Sequence, residues 1–255
     1  MKKSQKRQKR LVLVAMVLMI GLVAGMGAMT YSKYISTTTV PTQNATAAKW
    51  GFTVTANADN LFGKNYTGTG LAAVVDPANG LSVKASADKD IVAPGTKGSM
   101  TISISGQAEV AAQLTVDFKN AKELFLDLNN NATFDAGTDY APVKWTLKKG
   151  ETILVNAVTL AEVETALEGI SAVIAPNGDP ATFGTYTLSW AWDFGDGSTD
   201  INDSILGFIA AGKDADFINN ALKIDTVTTA MVTGSSTSLI FDLSINIEQT
   251  QVDAP

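Results

Sequence analysis

Phe241-Asp242-Leu243-Ser244-Ile245-Asn246-Ile247-Glu248 alternates apolar and polar side chains without a break. Successive side chains of a strand point to opposite faces, so Phe241, Leu243, Ile245 and Ile247 face a core and their neighbours face solvent. Tyr186 to Phe194 repeats the pattern, with Tyr186, Leu188, Trp190, Trp192 and Phe194 in the apolar phase. Shorter runs obey the same rule: Trp50, Phe52, Val54; Met100, Ile102, Ile104; Leu114, Val116, Phe118; Val143, Trp145, Leu147. Ala93-Pro-Gly-Thr96 and Pro176-Asn-Gly-Asp-Pro180 punctuate them as turns. Many strands and few helices predict an all-β, antiparallel β-sandwich.

One helix is signalled by the capping box Thr159-x-x-Glu162, followed by Val163, Ala166, Leu167 and Ile170 at helical spacing. A weaker pattern runs from Asp203 to Ala211. Both helices are expected on connections between strands. Asn57 to Gly80, rich in Asn, Gly and Thr, reads as a long loop or hairpin insertion.

The N-terminus carries a different signal. Lys2, Lys3, Lys6, Arg7, Lys9 and Arg10 precede an apolar run from Leu11 to Met29 that ends in small residues, the pattern of a cleaved export signal over residues 1–30. Ala28-Met29-Thr30 before Tyr31 fits the cleavage pattern, and Gly25-Met26-Gly27 fits as well. The same run is long enough to be kept as a membrane anchor.

Cleavage at Thr30 leaves thirteen basic against twenty-five acidic groups, a net charge of −12. Such a surface repels nucleic acid. Arg7 and Arg10 are the only arginines, so the remainder has no guanidinium fork for phosphate. The chain has no Cys and no His. That removes disulfides, thiolate nucleophiles, Ser-His-Asp triads and the HExxH zinc site, and argues against an enzyme.

Two acidic groups suggest chemistry of another kind. Asp127, Asn129, Asn131, Thr133 and Asp135 fall at alternate positions, as the oxygen ligands of a calcium loop do. Ala132 stands where such loops carry glycine and Thr138 where they carry glutamate, with Asp139 adjacent. An Asn-rich turn explains the same residues. Asp193, Asp196, Asp200 and Asp203 form a second acidic set that turn formation also explains. Trp50, Trp145, Trp190 and Trp192 could stack on sugars, but their strand phase assigns them to the core.

Trp190-Ala-Trp-Asp-Phe-Gly-Asp-Gly197 is similar to the signature of the PKD surface module, without that family's His-x-Tyr strand. Over most of its length the chain resembles the TasA/camelysin family of exported, fibre-forming biofilm-matrix proteins. The resemblance rests on Met29-Thr-Tyr-Ser-Lys-Tyr-Ile35, Ala48-Lys-Trp-Gly-Phe-Thr-Val54 and Ala93-Pro-Gly-Thr-Lys-Gly98. It continues in Pro142-Val-Lys-Trp-Thr-Leu147, Leu188-Ser-Trp-Ala-Trp192, Asp203-Ser-Ile-Leu-Gly207 and Ile247-Glu-Gln-Thr-Gln251.

The resemblance implies a jelly-roll sandwich over 48–255, a dedicated signal peptidase, and secretion into extracellular filaments joined by donor-strand exchange. Minor matrix or anchor subunits are further partners it suggests. The family label includes a metalloprotease activity, for which this chain has no His. The donor segment would be 31–47, with Tyr31, Tyr34, Ile35 and Val40 as its strand-forming side chains. Its Thr, Tyr, Ile and Val content suits a strand, and Pro41 should end it. The expectation is a homopolymer built head to tail by strand addition. The alternative is a monomeric, membrane-anchored surface module that binds calcium.

Overall fold

The computed structural model describes residues 35–40, 44–46, 51–59, 61–66, 83–193 and 199–250. The export segment, the cleavage site at Thr30 and Tyr31, and Tyr34, Trp50, Phe194 and Asp196 lie outside them. In chain order the strands begin with β1 (Ile35–Val40), β2 (Asn44–Thr46), β3 (Thr53–Asn57), β4 (Asn65–Tyr66) and β5 (Val83–Lys84). Then come β6 (Lys97–Ser105), β7 (Ala112–Lys122), β8 (Val143–Lys149) and β9 (Thr152–Val158). Helix α1 (Leu160–Glu168) precedes β10 (Ser171–Ile174) and β11 (Tyr186–Trp192). Helices α2 (Asp200–Ala210), α3 (Ala215–Leu222) and α4 (Thr229–Gly234) lead to β12 (Ile240–Gln249).

The fold is mostly β and antiparallel throughout. One sheet has the order β1-β12-β7-β10 and a second β2-β3-β6-β11-β8-β9, while β4 and β5 form a small pair. The neighbours β12-β7 and β6-β11 are far apart in sequence, so long crossovers rather than simple hairpins join the sheets. Burial alternates along β6, β8, β11 and β12 as the sequence pattern requires. Leu243, Ile245 and Ile247 are buried from β12, and Trp145, Leu147, Leu188 and Trp190 from the larger sheet. Each such side chain removed from water contributes roughly 1.5–3 kcal/mol. The two apolar faces meet where Trp145 packs edge-on against Phe241 at 5.7 Å.

Helix α1 forms where the capping box placed it, with Glu162 Oε2 accepting from Thr159 N–H at 2.9 Å. Its buried Leu160, Val163 and Leu167 seat it on the core. Helix α2 begins at Asp200, three residues earlier than expected. Strands β9 and β10 and helices α3 and α4 were not anticipated. Pro94-Gly95 makes the expected turn, with Gly95 at φ +78° and Thr96 N–H donating to Ala93 O at 3.0 Å. Gly106 is required for closeness as well as conformation: its φ is +103°, and a Cβ there would sit 1.7 Å from Gly51 O.

Candidate assembly edge and acidic loop

Strand β12 owes its position to its sequence phase. With Leu243, Ile245 and Ile247 buried, its backbone offers one edge to β7 and the other to β1. The β7 ladder runs from Gln249↔Ala112 to Asp242↔Lys119, with a bulge before Ile240. On the other side β1 lies antiparallel from Ile35↔Glu248 to Val40↔Leu243. Two of the strand-forming residues named from the sequence, Ile35 and Val40, therefore mark the two ends of this ladder. The residues 31–34 that precede it lie outside the described structure.

Among the described residues β1 is the outermost strand of its sheet, held to β12 alone. Only residues 41–43 separate it from β2, which pairs with β3 in the other sheet. What holds β1 to its sheet is thus a six-residue ladder at the chain's entry into the fold. Sequence reasoning had named the donor segment but not its acceptor; the clean alternation of β12 was the available signal.

The Asn-rich loop follows β7. Asp127 is fully buried, and its carboxylate accepts from Asn131 N–H at 3.2 Å and Ala132 N–H at 2.8 Å. Its own N–H donates to Ser235 Oγ at 2.9 Å. Gly234 lies so close that a Cβ would stand 2.0 Å from Asp127 Oδ2. Asp135 Oδ2 accepts from Asn129 Nδ2 at 2.7 Å and Asn131 Nδ2 at 2.6 Å, and these two amides hold its carboxyl below the usual range. Thr133 N–H donates to Asn131 Oδ1, while Asp139 accepts from Leu128 N–H and Asp135 N–H.

All five candidate residues come together, but as a turn closed by N–H donors. Calcium takes about six to eight oxygens. Here the carboxylates of Asp127, Asp135 and Asp139 already accept from amides. No group of three metal-ligating Asp or Glu side chains occurs among the described residues. This arrangement fits a self-closed turn better than an oxygen cage.

Of the second acidic set, Asp193, Asp200 and Asp203 fall within the described residues. Asp193 is exposed at the end of β11, and Asp200 opens α2. Asp203 Oδ1 accepts from Tyr140 O–H at 2.6 Å and Trp192 Nε1 at 3.0 Å. Burial raises the Asp203 carboxyl above its ordinary value against the pull of these two bonds. Asp203 and Trp192 border a cleft of about 580 Å³ that Phe62, Ile91, Leu206 and Ile240 also line. Among the described residues Trp145, Trp190 and Trp192 are all buried rather than offered as a sugar platform, and Trp190 Nε1 donates to Leu61 O at 2.6 Å.

One buried acid had no sequence signal. Glu123, just past β7, accepts from Leu160 N–H at 2.8 Å through Oε2, at the first turn of α1. Its other oxygen has no hydrogen-bond partner, and burial pushes the carboxyl up to about 6. Comparison with known proteins finds no matching family model, curated protein or solved structure.

Proposed function

We propose that this protein is a structural subunit of an extracellular filament, joined head to tail when β1 of one copy takes the β12 edge of the next. The observation that carries the reading is the β1–β12 ladder from Ile35↔Glu248 to Val40↔Leu243 at the outer edge of a sheet. An edge strand supplies main-chain hydrogen bonds to whichever strand lies beside it, and the alternating side chains set the register. Left empty, the β12 edge is an aggregation liability.

The same contact can be made within one copy or between two, so its energy largely cancels in an exchange. Protein concentration then weighs on the outcome. An exchange passed from copy to copy is a heterologous contact that does not close, and it propagates as a fibre. The basic-then-apolar leader, the −12 charge of the chain after Thr30 and the resemblance to the TasA/camelysin family support export and a jelly-roll sandwich. The absence of His and Cys argues for scaffolding rather than catalysis.

Deleting residues 31–40 tests the proposal. Negative-stain microscopy should then show folded protein without filaments. Filaments of normal length from the truncated chain would overturn it.

A further inference from the structure

Charged side chains are unevenly distributed over the described surface. On β3, β6, β8 and β11 the outward positions carry Lys97, Lys144 and Lys148 and no carboxylate; the rest are Ser, Thr, Asn and Ala. Register places Lys97 and Lys144 on either side of Ala191, about 10 Å apart at the usual strand spacing. Lys148 stands opposite Ile153, which is 52% exposed, and Leu154 follows at 44%. Ion pairs among the described residues are Lys64–Asp88 and Lys119–Asp117, so none of these three lysines is paired there.

The segment Asp200 to Asp225 has the opposite character. It holds five aspartates against Lys213 and Lys223, and Asp200, Asp216 and Asp225 are exposed. Ile201 and Phe217 are exposed among them, at 40% and 46%. Phe217 packs on Phe208 at 5.7 Å, and Lys213 covers its ring at 4.8 Å. Apolar side chains rimmed by charge are the ordinary composition of a docking surface.

We infer that copies of this chain dock side by side, the lysine face and β8–β9 hairpin of one against the acidic α2–α3 face of another. The partner is a second copy because both halves of the contact lie on this chain, opposite in charge and each carrying two exposed apolar side chains. The contact uses no residue of β1 or β12, so it goes beyond the strand exchange and can hold or fail separately. In filaments it would align neighbours laterally.

The test is a charge exchange in the full chain, read by sedimentation velocity and, for filaments, by the number lying side by side under negative stain. Lys97→Glu, Lys144→Glu and Lys148→Glu together, or Asp200→Lys, Asp216→Lys and Asp225→Lys together, should each lower the association constant by about tenfold, because exposed pairs contribute a few-fold each. Mixing the two variants should restore association. Lys84→Glu, Lys89→Glu and Lys122→Glu, which change net charge equally elsewhere, should leave it intact.

Circular dichroism checks that each variant folds, and Asp200→Asn, Asp216→Asn and Asp225→Asn replace the lysine set if that set does not. The neutral set should itself weaken association. An unvaried chain that does not self-associate beyond strand exchange, or variants that associate as it does, would overturn the inference. So would a loss that mixing does not restore.

Discussion

The carboxylate of Glu123 accepts the backbone N–H of Leu160 at 2.8 Å, so one buried acid joins the end of β7 to the start of α1. Lys144 on β8 lies within electrostatic reach of both Glu123 and Glu162 on α1. Burial outweighs the hydrogen bonds and the lysine, raising the group from 4.5 to about 6. In the unfolded chain the proton leaves first, near 4.5; the folded chain holds it until about 6. The folded state therefore binds more protons in that window, and stability falls as pH rises through it, by about 2 kcal/mol. Glu123→Gln keeps an acceptor for Leu160 and should remove this contribution. Urea unfolding of both proteins at several pH values between 4 and 7 measures it; parallel pH profiles would contradict it.

Asp203 ties three elements by accepting from Tyr140 O–H and Trp192 Nε1. Replacing it with Ala strands two partly buried donors, at a cost of about 2 kcal/mol, whereas Asp203→Asn retains an acceptor and should cost less than half of that. Thermal melting separates the two variants. Equal losses would mean that the negative charge, not the acceptor, matters.

Gly106→Ala should be among the most damaging single changes in the strand connections. Its Cβ would overlap Gly51 O at 1.7 Å, in a backbone conformation that L side chains rarely adopt. Overlap and conformational strain together predict a loss on the order of 3 kcal/mol. Denaturant midpoints report it.

Calcium should have little effect on the Asn-rich loop. With Asp127, Asp135 and Asp139 already accepting N–H donors, about 1 mM calcium should leave the melting temperature unchanged. A rise that scales with the logarithm of calcium concentration would show that the loop reorganises into an oxygen site.

The elements legible in the sequence are those with one buried face. Strands β11 and β12 alternate because one side of each meets the core, and α1 declares itself through Thr159 and Glu162. Strand β9 hides for the opposite reason: as an edge strand, with all but Val155 and Val158 exposed, it has no reason to alternate. Helices α3 and α4 are short, and each buries too few side chains to show a period: Ala215 and Ile218 in one, Met231 in the other. The acidic loop was legible in its spacing but not in its bonding, because the donors that occupy Asp127 are backbone amides and carry no sequence signature. Glu123 could not be found at all; its burial comes from a helix thirty-seven residues away.

The central claim is that the strand beside β12 belongs to another copy in the filament, and Thr39 with Ser244, paired in register across that ladder, allows a direct reading. The chain has no cysteine, so Thr39→Cys with Ser244→Cys introduces a single, unambiguous pair. Filaments assembled under reducing conditions, then oxidised and run on a denaturing gel without reductant, should give a ladder of covalent multimers. A single monomer band carrying an internal disulfide, from preparations in which filaments are seen, would contradict the account.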